Sequence, residues 1–283
     1  MLKTAWKWVA AMMLGLAAPA VAADGADGAS AESFRIGVAP HTSARVIIEQ
    51  YQPVRAALQN ALGVPVEIIT APDFTEFARR ALALEYDMAI TTAHQAELLR
   101  ADAGYLPVVT YAADFRAVIV VPASVRLPSP KALDGTTVLG LNPSSLVTLW
   151  GLHWLKDNGV AVKSVRHVSA ADSVAQLLLA GDGAAGFMSL ANFQKLPPPI
   201  QAQLRMEVQS QPIPGRVYML NRDQGGRLEK IKAALAGFAK TPEGKRYFDD
   251  NKLENYQPIT VADLQSMGKF ADEVRQVLKE GAK

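Results

Sequence analysis

From residue 34 onward, short apolar runs alternate with amphipathic stretches of helical period, and the alternation occurs twice. Few folds satisfy such a pattern. A strand at 35–39 is followed by the cap-like cluster His41-Thr42-Ser43. A helical stretch comes next, with Ile47, Tyr51, Val54, Leu58 and Ala61 at i+3/i+4 spacing and Gly63 as its stop. Pro53 divides it into a short first helix and a longer second one. A strand at 65–70 leads to Asp73-Phe74-Thr75-Glu76, which has the form of a capping box opening a helix to about Leu84. A strand at 87–91, a helix capped by Thr92 and an extended run at 106–111 complete the order β-α-β-α-β-α-β. That order predicts a parallel sheet with helices on both faces.

After a β-branched run at 116–121 and a proline-rich connector at 122–130, the pattern restarts. A strand at 137–141, a helix at 145–158, a strand at 164–168 and a helix at 172–180 are followed by a strand at 184–188. A short helix to Leu196 and a strand at 204–209 end this second series. Two similar lobes follow from the repetition. A stiff turn, Gln211-Pro-Ile-Pro-Gly215, precedes a strand at 216–220, and the tail is helical at 224–240, after Pro242 and at 261–279. A tail returning to the first lobe gives two crossovers, near 112–116 and 210–216. The lobes then comprise 34–113 with 216–283, and 114–215, with a hinged cleft between them.

With 283 residues, 49% apolar, the chain can bury cores of this size. It has no cysteine, which removes disulfides, thiolate metal sites and a cysteine nucleophile. Lys3 and Lys7, the apolar run 9–18 and the small residues 20–23 read as a secretory signal peptide over 1–23, too short to span a bilayer. Its removal leaves 29 − 2 = 27 basic residues against 27 acidic ones, so the remaining chain is formally neutral and nothing points to nucleic acid.

Gly181-Asp-Gly-Ala-Ala-Gly186 matches a dinucleotide-binding string, but a helix precedes it and a strand follows, the reverse of what such a site needs; it reads as a turn. The four histidines, at 41, 94, 153 and 167, lack ligand spacing, so no metal or other cofactor is expected. His153, in an apolar helix, reads as packing. Ligands of open α/β sheets bind beyond the carboxyl ends of strands. The residues there are Thr42, Asp73-Phe74, Thr92 and His94 in the first series, and Ser144-Ser145 and Asp172-Ser173 in the second. Serine at a helix start both caps the helix and joins an anion-attracting end. Arg116 and Arg216 stand at the two crossovers, where a guanidinium can grip an oxyanion or lie in an ordinary surface salt bridge.

Arg-Ile-Gly-Val-Ala (35–39), Leu-Gly-Val-Pro-Val (62–66), Ala-Pro-Asp-Phe (71–74), Asn-Pro-Ser-Ser (142–145), Pro-Ile-Pro-Gly (212–215) and Thr-Pro-Glu-Gly-Lys (241–245) together resemble a known family. It is the phosphate/phosphite/phosphonate-binding group of periplasmic solute-binding proteins of ABC importers. The resemblance implies the type II periplasmic binding protein fold: two Rossmann-like lobes, joined by two crossover strands, closing on a ligand. It implies a non-enzymatic, monomeric, periplasmic protein that delivers a small anion to an inner-membrane permease. A ligand-sensing subunit for a membrane receptor kinase, or a binder of organic carboxylates, are the alternatives.

The strand ends, the crossovers and this resemblance together give a ligand shell of Thr42, Phe74, Thr92, His94, Phe115, Arg116, Ser144, Ser145, Thr148 and Arg216. The family's Ser-Thr-Ser-Gly falls on Ser145-Leu146-Val147-Thr148. Its two aromatic positions, often tyrosine in phosphonate binders, fall on Phe74 and Phe115, and its histidine before the next helix on Ala171. The family's acid that can hold a ligand amine falls on Arg216, which implies an anionic ligand without an amine.

Overall fold

The structure, a computed structural model, describes residues 33–281; the expected signal peptide lies outside them. In chain order the elements are β1 (Phe34–Val38), α1 (Ala44–Gln50), α2 (Gln52–Leu62), β2 (Val66–Thr70), α3 (Phe74–Leu82), β3 (Met88–Thr92), α4 (Ala93–Ala103) and β4 (Leu106–Tyr111). Then follow β5 (Ala117–Pro122), β6 (Thr137–Gly140), α5 (Leu146–Asp157), β7 (Ser164–His167), α6 (Ala171–Leu179), β8 (Ala185–Ser189), α7 (Leu190–Gln194), α8 (Pro198–Gln201) and β9 (Leu204–Gln209). The chain ends with β10 (Arg216–Leu220), α9 (Leu228–Lys240), α10 (Pro242–Asn251), β11 (Tyr256–Gln257), α11 (Val261–Gln265) and α12 (Gly268–Glu280).

Two sheets organise these elements, with strand orders β11-β4-β10-β3-β1-β2 and β7-β6-β8-β5-β9. β1 runs parallel to β2 and β3, as the alternation predicts. The first sheet is nevertheless mixed. β10 lies between β3 and β4 and is antiparallel to both. The reason is the path of the chain: β10 enters straight from a crossover, at the carboxyl ends of β1 and β3, and can only run away from that edge. In the second sheet β6 is parallel to β7 and β8, while β5 is antiparallel to β8 and β9. At the crossovers Phe115 and Ile213 exchange two backbone hydrogen bonds, of 3.2 and 2.8 Å.

Each sheet is covered on both faces. On the first, Val54, Leu58, Leu235 and Phe248 meet Ile36, Val38, Ile90 and Tyr218 on one side, and Phe77, Leu98, Phe270 and Val274 meet Met219 on the other. On the second, Leu155 of α5 packs with Ile119, Val138 and Phe187, and Val174 and Leu178 of α6 pack opposite. The approach of α5 depends on a missing side chain. A Cβ on Gly151 would stand 2.5 Å from the Phe187 ring, well inside contact distance.

Local chemistry departs from the sequence expectation at four places. Asp73 caps α3 through the amides of Thr75 and Glu76, but Glu76 binds Arg79 and Arg80 instead of returning to Asp73, so the capping box is half formed. Thr92 precedes α4 without capping it through its hydroxyl. Residues 224–227 belong to a 3-10 turn before α9. The expected last helix is two: α11, opened by a Thr260–Asp263 capping box, ends before α12, and Met267 turns into the core at the break. Pro53 sits at the second position of α2 and Pro242 at the first of α10, the places that tolerate proline.

Candidate functional site

The carboxyl ends of β1, β3 and β6 bring two groups of residues to the cleft between the lobes. The first surrounds the start of α5. Ser145 is its N-cap; the hydroxyl accepts from the Thr148 amide at 3.4 Å and donates to the Thr148 hydroxyl at 3.0 Å. The amides of Leu146 and Val147 have no intrahelical carbonyl, as in the first turn of any helix, and with the helix dipole they form a positive end.

Ser144, fully buried, joins the lobes. Its hydroxyl meets that of Thr75, on α3, at 3.0 Å, and its carbonyl oxygen lies 2.9 Å from His94 Nε2, on α4. The Nε2–H donates there, which leaves Nδ1 unprotonated, buried and without a partner. Burial pushes His94 down to about 4, so it is neutral. Phe74, Leu146 and Leu149 close the contact in one apolar cluster with Met267 and Phe270. One turn further along α5, His153 packs on Phe270 and pairs with Glu273 of α12. The two lobes therefore meet directly, over both polar and apolar surface.

The second group surrounds Arg216, the first residue of β10, paired in register with Thr92 at the end of β3. Its guanidinium donates to His41 Nε2, and its carbon lies 5.6 Å from the centre of the Tyr111 ring, in cation–π range. His41 Nδ1 lies 2.9 Å from the Ala39 carbonyl and donates to it, so Nε2 is the acceptor. Burial and the Arg216 charge push His41 down to about 3. Beneath lie Tyr51, Tyr111, Tyr218, Tyr247 and Tyr256. Tyr111 hydrogen-bonds Tyr218 at 2.6 Å and Tyr247 at 2.5 Å, and Tyr218 reaches Tyr256 at 3.1 Å. Burial raises the phenols of Tyr111, Tyr218 and Tyr256 well above their ordinary value, so they stay neutral.

Among the described residues Arg216 has no carboxylate partner. Two buried hydroxyls close to it in the fold, Tyr51 Oη and Thr92 Oγ1, have no hydrogen-bond partner either. A cation and two unmatched hydroxyls at one cleft edge form an arrangement that an oxyanion would satisfy.

Of the other residues expected in the shell, Phe115 lies at the first crossover, partly buried against the apolar cluster. Arg116 takes the ordinary salt bridge, with Asp114 at 3.1 Å. Thr42 is exposed ahead of α1. His153 does pack, with the added partner Glu273. The tyrosine bed escapes sequence reasoning because its members are spread over two hundred residues with no common spacing. Two surface cavities lie elsewhere: about 460 Å³ beside α1, α2 and α10, and about 320 Å³ behind the crossovers. Among the described residues no helix is long and apolar enough to cross a membrane, and no group of three or more His, Cys, Asp or Glu could hold a metal ion.

A family profile described as ABC transporter, phosphonate, periplasmic substrate-binding protein matches residues 36–264. No curated protein matches the sequence. Among solved structures, PhnD1 from Prochlorococcus marinus in complex with methylphosphonate is 14% identical. It superposes with a TM-score of 0.76 over 86% of this chain and 98% of its own. The binding protein component of an ABC phosphonate transporter from Pseudomonas aeruginosa is 16% identical, with a TM-score of 0.73 over 88% of this chain and 94% of its own. A Xanthomonas citri protein bound to chloride ion is 18% identical, with the same score over 87% and 99%. The fold is that of the type II periplasmic binding proteins.

Proposed function

The chain belongs to the family of periplasmic substrate-binding proteins of phosphonate ABC transporters, which bind and do not catalyse, and we propose that it captures a small oxyanion without an amine between its lobes. The observation that carries this reading is Arg216: a partly buried guanidinium at the cleft edge, beside His41 and Thr92, with no acid among the described residues to neutralise it. An uncompensated cation at such a place is costly, and an anion from solution offsets the cost. The positive end of α5, with Ser144, Ser145 and Thr148, supplies the second lobe's share, and Phe74 and Phe115 provide apolar walls. Thr42 and Thr92 complete the shell, and His94, whose Nε2–H is taken by the Ser144 carbonyl, positions Ser144 within it.

In this mechanism the segments 34–113 with 216–283, and 114–215, move as two bodies about the crossovers. Open and closed arrangements lie close in energy, and a ligand touching both lobes favours the closed one. The direct lobe contacts at Ser144 support such a closed arrangement. Export through residues 1–23 would bring the protein to the periplasm as a monomer, where the closed form delivers its ligand to an ABC permease.

The test is a thermal-shift panel on the mature protein, refolded to strip carried-over ligand. The panel holds phosphate, phosphite, methylphosphonate, aminoethylphosphonate, sulfate and small carboxylates. A ligand at a hundred times its Kd raises native stability by about 2.7 kcal/mol. A shift with phosphorus oxyanions lacking an amine is the expected result. A shift with carboxylates alone would change the ligand class, and no shift with any anion would overturn the reading.

A further inference from the structure

We propose that Lys195 is a further anion-holding residue of the second lobe, beside the start of α5, forming with Arg216 a two-cation clamp that selects ligands carrying two negative charges; this rests on the reading of the cleft as an anion site. The path of the chain brings α7 and the start of β10 to the same crossovers. Lys195 follows the last turn of α7, whose first residue, Leu190, donates its amide to the Arg116 carbonyl at 2.8 Å. The neighbouring residue Phe115 is bonded in both directions to Ile213, and Arg216 stands three residues beyond. The end of β8, α7 and the start of β10 are thus gathered at the crossovers, one cation arriving from each lobe.

Neither cation is neutralised by the protein. Among the described residues Lys195 makes no ion pair, whereas Arg116 beside the same crossover takes Asp114. Lys195 and Arg216 are close enough to sense each other: although Lys195 is exposed as a residue, partial desolvation of its ammonium first, and then the Arg216 charge, lower it from its ordinary range. The Lys195 charge also reaches His41, which is already held neutral and offers no negative charge.

Two unmatched cations across a hinge oppose closure until something negative stands between them. A singly charged ligand satisfies Arg216 and leaves Lys195 uncompensated. A doubly charged one turns the repulsion into two charge-assisted contacts, one on each lobe. Arg216 then provides anion binding as such, and Lys195 sets the preference among anions of similar shape.

Methylphosphonate and methanesulfonate test this directly, because they share size and geometry and, at mildly alkaline pH, differ by one charge. Both are titrated calorimetrically into the full mature chain, at one ionic strength, with wild type, Lys195→Gln, Lys195→Arg and Lys232→Gln. Lys232 is a control, an exposed lysine paired with Glu229 on α9. The expected result is a loss of about tenfold or more in methylphosphonate affinity for Lys195→Gln, with methanesulfonate changed by about twofold or less. Lys195→Arg restores the preference and Lys232→Gln leaves it intact. Equal losses for both ligands, or methylphosphonate affinity kept within about twofold, would overturn the role of Lys195 while anion binding stands. Wild type binding neither these two nor any other anion of the panel would remove the underlying site as well.

Discussion

The two sides of the cleft solve opposite problems. At the start of α5 the polar groups pair with one another, His94 Nδ1 excepted: Ser145 with Thr148, Ser144 with Thr75, and the Ser144 carbonyl with His94 Nε2. Around Arg216 they do not. A guanidinium rests on an aromatic bed with a neutral histidine as its one side-chain acceptor, beside two hydroxyls without partners. The first arrangement holds the lobes together through the protein's own atoms. The second has an unmet demand for negative charge. On the proposed reading the α5 side both joins the lobes and contributes to the ligand shell, whereas the Arg216 side is left to the ligand, and the contrast can be attacked from either side.

The largest effect is expected at Arg216. Arg216→Met should weaken anion binding by about 2–5 kcal/mol, roughly thirtyfold to a few thousandfold, while thermal stability without ligand stays level or rises. Calorimetry and melting on the same sample check this; a parallel fall in stability and affinity would make Arg216 a structural cation and erase the contrast.

The α5 side should respond to pH. His94 is depressed from 6.5 to about 4 in the folded protein, so between those values the unfolded chain binds more protons. Its contribution is complete above about pH 6.5 and is lost as pH falls toward 4, a change on the order of a few kcal/mol. His94→Gln should flatten the fall in urea-unfolding stability between about pH 7 and 5. His41, depressed further, adds a slope that persists below pH 4.

Ser145→Ala should cost about 1 kcal/mol of stability through the lost helix cap, and less affinity than Arg216→Met. Smallest of all, Arg116→Gln breaks a surface pair with Asp114 and should change stability by less than about 1 kcal/mol, with affinity within about twofold. A large affinity loss there would move the anion toward the first crossover.

Much of the fold could be read from periodicity. β4, β9 and β10 lie where their apolar runs end, and the crossovers fall where proline and glycine interrupt the pattern. Contributions from distant parts of the chain escaped that reading. β11, two residues long, exists because Tyr256 pairs with Tyr111 at the edge of the sheet. The break at Met267 follows from burial of its side chain, which helical spacing alone does not register. At the site, the strand ends pointed to His94 and Ser144, and the second crossover to Arg216, because those placements follow from the alternation and the path of the chain. The surroundings of Arg216 stayed hidden, since five tyrosines from Tyr51 to Tyr256 assemble only after the tail returns. So did Lys195, an exposed lysine at the end of a five-residue helix with no motif around it.

The strand β10 has a further consequence, for the order of folding. It sits between β3 and β4, yet it emerges about a hundred residues after either, when the whole second sheet has already been synthesised. The second lobe is one uninterrupted segment and can fold as soon as it is made. The first must keep a gap in the middle of its sheet, with β3 and β4 unable to pair across it, until residue 220 arrives. Such long-range closure is slow and leaves strand edges exposed meanwhile. Arg216, the first residue of the strand that fills the gap, therefore reaches its tyrosine bed last, and the anion-seeking edge of the cleft is completed only when the protein is.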